Sequence, residues 1–89
     1  MNFDKTREIC DQALANYNFG EGVFVEATSG WESNSNSKEV SCPIFLKFED
    51  DEPEQDTHRA TFTVIIENCK ATQAECSYKG NLIGNYDLI

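Results

Sequence analysis

Two runs with the same alternation, "CPIFLKFE" at residues 42–49 and "ATFTVIIEN" at residues 60–68, constrain this chain more than any other feature. In the first, Ile44, Leu46 and Phe48 point one way while Phe45, Lys47 and Glu49 point the other. In the second, Phe62, Val64 and Ile66 oppose Thr61, Thr63, Ile65 and Glu67. A period of two in β-branched and aromatic residues specifies half-buried strands, and a connection too short for a crossover makes the pair antiparallel. These are the expected central strands, with Pro43, which has no N–H to donate, at a strand start or on an edge.

The remaining segments supply what such a pair must pack against. Residues 3 to 18 place Ile9, Cys10, Ala13, Leu14 and Tyr17 on one helical face, and Asn2 or Asp4 can cap the N-terminus. The stretch from Asn18 to Gly20 supplies a stop. "GVFVEATSG" reads as a strand with Val23, Val25 and Ala27 on one side and Phe24, Glu26 and Thr28 on the other. "AECSYK" is a further strand with Ala74, Cys76 and Tyr78 on one side, following a turn from Asn68 to Thr72. A two-residue turn at Gly80 and Asn81, needing a positive φ at the glycine, returns the chain into "LIGNY". The expected fold is α+β: one N-terminal helix packed on a four- to five-stranded antiparallel sheet, in a single domain spanning residues 1–89. A single helix covers one face only, so the other, with Phe24, Phe45 and Ile65 beside Thr61, Thr63 and Lys47, is expected to offer a binding or self-association surface.

Size and composition exclude several classes. Eighty-nine residues allow one modest core, and 39% hydrophobic content is too apolar for a disordered chain and too interrupted by charge for a membrane span. The first ten residues lack the apolar stretch of a secretory signal, so a cytoplasmic location is expected. Cys10, Cys42, Cys69 and Cys76 show no C-x-x-C spacing. They read as four small buried thiols, with a disulfide as the alternative in an oxidising compartment. No cofactor motif or metal-ligand spacing occurs, and none is expected to bind.

Sixteen acidic side chains against seven basic ones give a formal charge of −9. Six of those carboxylates, Glu49, Asp50, Asp51, Glu52, Glu54 and Asp56, lie within eight positions that contain no base. One connection therefore carries two thirds of the net charge. A surface this negative repels nucleic acid and anionic membranes and attracts basic proteins through a salt-sensitive field.

Four readings compete for this acidic connection. Charges beside aggregation-prone strands discourage edge pairing, but one or two suffice for that. Crowded carboxylates can stand in for phosphates and occupy the Lys and Arg side chains of a basic partner. Alternating acids can hold a cation, although the glycine-turned spacing of an EF-hand is missing and Pro53 interrupts the run. Paired carboxylates can perform acid/base catalysis, but a solvated loop shifts no pKa far enough. His58, the one histidine, reads as structural because no nucleophile motif accompanies it. Gly20-x-Gly22 precedes a strand and reads as a turn rather than a phosphate cradle. Trp31, at the root of a Ser/Asn-rich loop over residues 32–38 expected to be mobile, either caps the core or anchors an interface.

In size, acidity, compact α+β pattern and lack of a catalytic constellation, the chain resembles the small phage-encoded inhibitors of bacterial defence, including anti-CRISPR and DNA-mimic anti-restriction proteins. That resemblance implies stoichiometric, non-enzymatic binding in the host cytoplasm to a nucleoprotein complex or nuclease, with acidic residues covering a basic nucleic-acid channel. Mimics of this kind spread carboxylates over a whole face, whereas here they are concentrated in one connection, so a contact centred on that connection fits better. The expected partner is thus a basic protein or nucleoprotein complex, met by a monomer or homodimer through Glu49, Asp50, Asp51, Glu52, Glu54, Asp56 and Trp31. An immunity protein neutralising a cationic toxin, or a self-associating assembly subunit, would use the same features.

Overall fold

The structure, a computed structural model, describes residues 3–33, 38–54 and 56–86. Helix α1 (Phe3–Ala15) leads into β1 (Tyr17–Asn18), β2 (Val23–Thr28), β3 (Glu32–Ser33) and the two long strands β4 (Glu39–Phe48) and β5 (His58–Glu67). β6 (Lys70–Tyr78), β7 (Asn81–Ile83) and β8 (Asn85–Tyr86) follow. The main sheet is antiparallel throughout with spatial order β2-β4-β5-β6-β7, and β3 continues the β2 edge alongside β4; β1 and β8 form a separate two-stranded ribbon. The α+β architecture with an N-terminal helix on an antiparallel sheet is as expected, with five strands across. No helix among the described residues is long and apolar enough to cross a membrane.

The alternation read from the sequence sets the inner face. Val40, Cys42, Ile44 and Leu46 on β4, Ala60, Phe62, Val64 and Ile66 on β5, and Ala74 and Cys76 on β6 are buried, and Cys10 and Ala13 of α1 close over them. Phe62 sits at the centre: its ring centroid lies 5.0 Å from Tyr17, 6.0 Å from Phe19 and 6.1 Å from Trp31. The Tyr17 and Trp31 contacts are edge-on, and aromatic contacts of this kind add to the area they bury.

Several local expectations are corrected. The helix ends at Ala15 rather than residue 18, so Tyr17 reaches the core from β1; its hydroxyl donates to the Ile83 carbonyl and accepts from the Cys76 N–H at 3.2 Å. Of the expected caps, Asn2 lies outside the described residues and Asp4 falls inside the first turn of α1. A bulge between Val25 and Ala27 shifts the register of β2, which pairs Ala27 with Phe45 and leaves it exposed, so Ala27 does not join Val23 and Val25. Glu32 and Ser33, expected in a mobile loop, pair with Ser41 and Val40; residues 34–37 lie outside the described residues. "LIGNY" is two short strands divided at Gly84.

Both hairpin turns also differ. β5 and β6 are joined by Asn68 and Cys69 alone, so β6 starts at Lys70, and β6 and β7 are joined by Lys79 and Gly80, so Asn81 already belongs to a strand. All four turn residues have positive φ, between 50° and 79°, the type I′ geometry whose twist matches that of the strands. Cys69, at φ 62° and exposed, is not the buried thiol expected, although Cys10, Cys42 and Cys76 are buried. Its side chain crowds a conformation that glycine adopts without strain. Cys69→Gly is therefore expected to raise stability by about 1 kcal/mol, read as a higher urea midpoint at unchanged m-value. An unchanged or lower midpoint would show that Cys69 carries no such strain.

Candidate functional site

The acidic connection starts where β4 ends. Phe48 pairs with Val23 of β2, and the next residue, Glu49, donates its N–H to the Gly22 carbonyl at 2.7 Å. The chain then turns back on itself through Asp51. The Asp51 N–H donates to the Phe48 carbonyl at 3.0 Å, and Asp51 Oδ2 accepts the Phe48 N–H at 2.9 Å. An aspartate three residues after the turn's start, bonded to that residue's backbone, closes the turn as a small ring.

The same carboxylate reaches across to the start of β5. His58 Nε2 lies 3.0 Å from both Asp51 oxygens, and His58 Nδ1 lies 3.0 Å from the Tyr78 hydroxyl on β6. The Phe48 ring lies 4.6 Å from the imidazole and 5.5 Å from the Tyr78 ring. Only 10% of the Asp51 side chain and 18% of the His58 side chain are exposed. Both charge states of His58 fit this arrangement. When neutral, its Nε2–H donates to Asp51 while Nδ1 accepts the Tyr78 proton; when protonated, both nitrogens donate and Tyr78 accepts.

The partners of Asp51 favour its ionised form. The Phe48 backbone N–H, and after it the His58 side chain, hold its carboxyl below the usual carboxylate range. A folded-state pKa lower than the unfolded one gives stability that is complete above the unfolded value and is lost as pH falls through the folded one. Stability is thus expected to drop in acid through this group, and the drop is expected to shrink in Asp51→Asn, which keeps the shape but has no charge to lose. Urea midpoints of both proteins from neutral pH down to pH 3 test this. Parallel acid profiles would show that the Asp51 charge contributes nothing.

The six sequence-predicted carboxylates therefore divide into two groups. Asp51 is turned inward and committed to Phe48 and His58. Glu49, Asp50, Glu52, Glu54 and Asp56 are exposed on the same connection. Glu49 lies against Gly22, where an added Cβ would come within 2.9 Å of Glu49 Oε2. Among the described residues, no group of three or more His, Cys, Asp or Glu side chains is placed to hold a metal ion.

Trp31 lies away from this connection. Its ring packs edge-on against Phe62, its Nε1–H donates to Asp11 Oδ1 of α1 at 2.9 Å, and it borders a shallow cleft of about 230 Å³ with Arg7, Asp11 and residues 28–30. It is half-buried and fastened to the helix. The structure places it as a cap on the core and does not bring it together with the carboxylates.

The buried thiols are chemically quiet. Burial pushes Cys10 and Cys76 up to about 11 and raises Cys42 as well, so all three stay protonated at neutral pH. The Asp51–His58–Tyr78 chain is not among the features expected from the sequence. The available signal was the aspartate three residues beyond the last apolar residue of a strand, an arrangement that favours a side-chain-closed turn. No protein-family model, curated protein or solved structure matches this chain.

Proposed function

We propose that this chain is a non-enzymatic acidic inhibitor that binds a basic, nucleic-acid-binding surface of another protein, of the kind found in bacterial defence complexes and nucleases. One observation supports the reading most: five carboxylates project from a single connection whose first turn is tied down by a sixth. Glu49 and Asp50 lie inside that tied turn and lose little freedom on meeting a partner, which favours their pairing with Lys and Arg side chains. Glu49, Asp50, Glu52, Glu54 and Asp56 make the contacts in this reading, and Asp51 positions the first two. The field of the connection draws a cationic partner in, so association slows as ionic strength rises.

The test neutralises the contact set and spares the positioning residue. A variant carrying Glu49→Gln, Asp50→Asn, Glu52→Gln, Glu54→Gln and Asp56→Asn keeps Asp51 and is expected to keep the fold. Wild-type protein immobilised in a bacterial lysate is expected to retain a nucleic-acid-binding protein that competing DNA or several-fold higher salt releases, and the variant is expected to retain none of it. Equal retention by both proteins, or retention indifferent to salt, would overturn the reading.

A further inference from the structure

The main sheet ends at β2, and among the described residues no strand pairs with its outward side. Glu49 donates its N–H to the Gly22 carbonyl, and Phe24 pairs with Lys47, so Gly22 and Phe24 turn their main-chain groups towards β4. Val23 and Val25, which alternate with them, turn theirs the other way. Among the described residues nothing hydrogen-bonds to those outward N–H and C=O groups. On the inner face the Val23 and Val25 side chains stay half-buried, because α1 lies over β5 and β6 rather than over β2. On the outer face Phe24 is 58% exposed.

We propose that this edge takes up an extended segment of another protein, added antiparallel to β2, in which apolar residues alternate with Lys or Arg. The residues of the segment opposite Val23 and Val25 each exchange N–H and C=O bonds with them, so the main chain supplies the affinity. Those same residues share the inner face with the two valines, where an apolar side chain extends the core. The residues that alternate with them fall on the outer face beside Phe24, where a Lys or Arg meets the ring and the nearby Glu26.

Charge selects the occupant. Residues 20–28 carry Glu21 and Glu26, both exposed, and no base; Glu49 stands against Gly22, and Asp50 follows it. The first cation inward is Lys47, one strand away on β4. A basic segment is therefore drawn to this edge, whereas a second copy of the chain would set Glu21, Glu26 and the acidic connection beside their own counterparts. The bulge between Val25 and Ala27 works in the same direction, since it confines the regular stretch to Val23–Val25 and leaves little for two rigid edges to share. A flexible segment pairs with that stretch alone and bends away beyond it. The inference does not rest on what the acidic connection binds.

The probe is a peptide of about eight residues alternating Val and Lys, titrated into the isotope-labelled full chain and followed by amide nuclear magnetic resonance. Shifts are expected along β2 and its partner positions on β4, with slowed hydrogen exchange at the Val23 and Val25 amides. The same peptide N-methylated at its valines keeps its charge but has no N–H to donate there, and is expected to bind at least about tenfold more weakly. Val25→Pro, which removes an N–H that only the added segment uses, is expected to weaken binding likewise while far-UV circular dichroism stays unchanged. Glu21→Lys together with Glu26→Lys, at two exposed positions, is expected to weaken it as well and decides the matter if the proline disturbs the strand. Equal affinity for the two peptides, shifts confined to residues 49–56, binding indifferent to these substitutions, or no binding overturns the inference. Protection of Val23 and Val25 that grows with protein concentration in the absence of peptide overturns it too, and gives the edge to a second copy.

Discussion

Phe62→Ala is expected to cost about 3–5 kcal/mol, the largest loss of any single change in this chain. The side chain is fully buried on the central strand β5, and three separate parts of the chain lean on its ring: Tyr17 of β1, Phe19 in the segment leading to β2, and Trp31 before β3. Truncation leaves a cavity that strands fixed by ladders on both sides cannot close. Domains of this size sit near the lower end of the usual 5–15 kcal/mol, so the variant is expected to be largely unfolded or close to it at room temperature. Urea titration followed by the near-ultraviolet signal of Trp31 reads the effect. A loss below about 1 kcal/mol would mean that the core collapses around the gap and that Phe62 is not its centre.

Gly84→Ala is expected to be nearly as costly, for a reason that lies in the backbone. Gly84 divides β7 from β8 at φ 76°, and a Cβ there would strike the Asn18 carbonyl and come within 2.7 Å of Tyr17 Cε1 and 3.0 Å of Phe19 Cα. The left-handed conformation alone costs a side chain about 1–2 kcal/mol, and overpacking adds about 1–3 kcal/mol. The ribbon of β1 and β8 has to part to make room, and the Tyr17 hydroxyl then loses its hold on Ile83. Gly80, at φ 79° with nothing near its Cβ position, provides the control. Gly80→Ala is expected to show the conformational cost alone, so the difference in melting temperature between the two variants measures the close approach. Equal shifts would show that the ribbon yields freely. Hydrogen exchange at Asn18 and Tyr86 should quicken in Gly84→Ala only.

The parts of the fold that were legible in the sequence are those fixed by side-chain burial over several residues. Ile44, Leu46, Phe62, Val64 and Ile66 had to share a face whatever the rest of the chain did, and Cys10 and Ala13 had to meet them. What escaped depends on single backbone choices. One inserted residue in β2 turned Ala27 outward, and nothing in "VEAT" marks it. The hairpins turn on Asn68–Cys69 and Lys79–Gly80, and a cysteine or lysine at positive φ contradicts local preference, so the turn was expected one residue later or spread over five. The charge of the acidic connection was plain from composition. Its internal order was not, because Asp51 differs from its neighbours only in its distance from Phe48 and in facing a histidine seven residues away. Trp31 was readable as an aromatic at a loop root, but its bond to Asp11 joins residues twenty apart, which no local pattern encodes.

The tight turn between β5 and β6 has a practical consequence. Cys69 stands exposed at its tip while Cys10, Cys42 and Cys76 are buried and remain protonated at neutral pH. A maleimide dye added under native conditions should couple to that one position and leave the core intact, without any engineered substitution. Because β5 runs from the acidic connection to this turn, the ten-residue strand holds the dye about 33 Å from the carboxylates. The protein thus comes with its own attachment point for fluorescence, at the far end from the surface whose binding is to be measured.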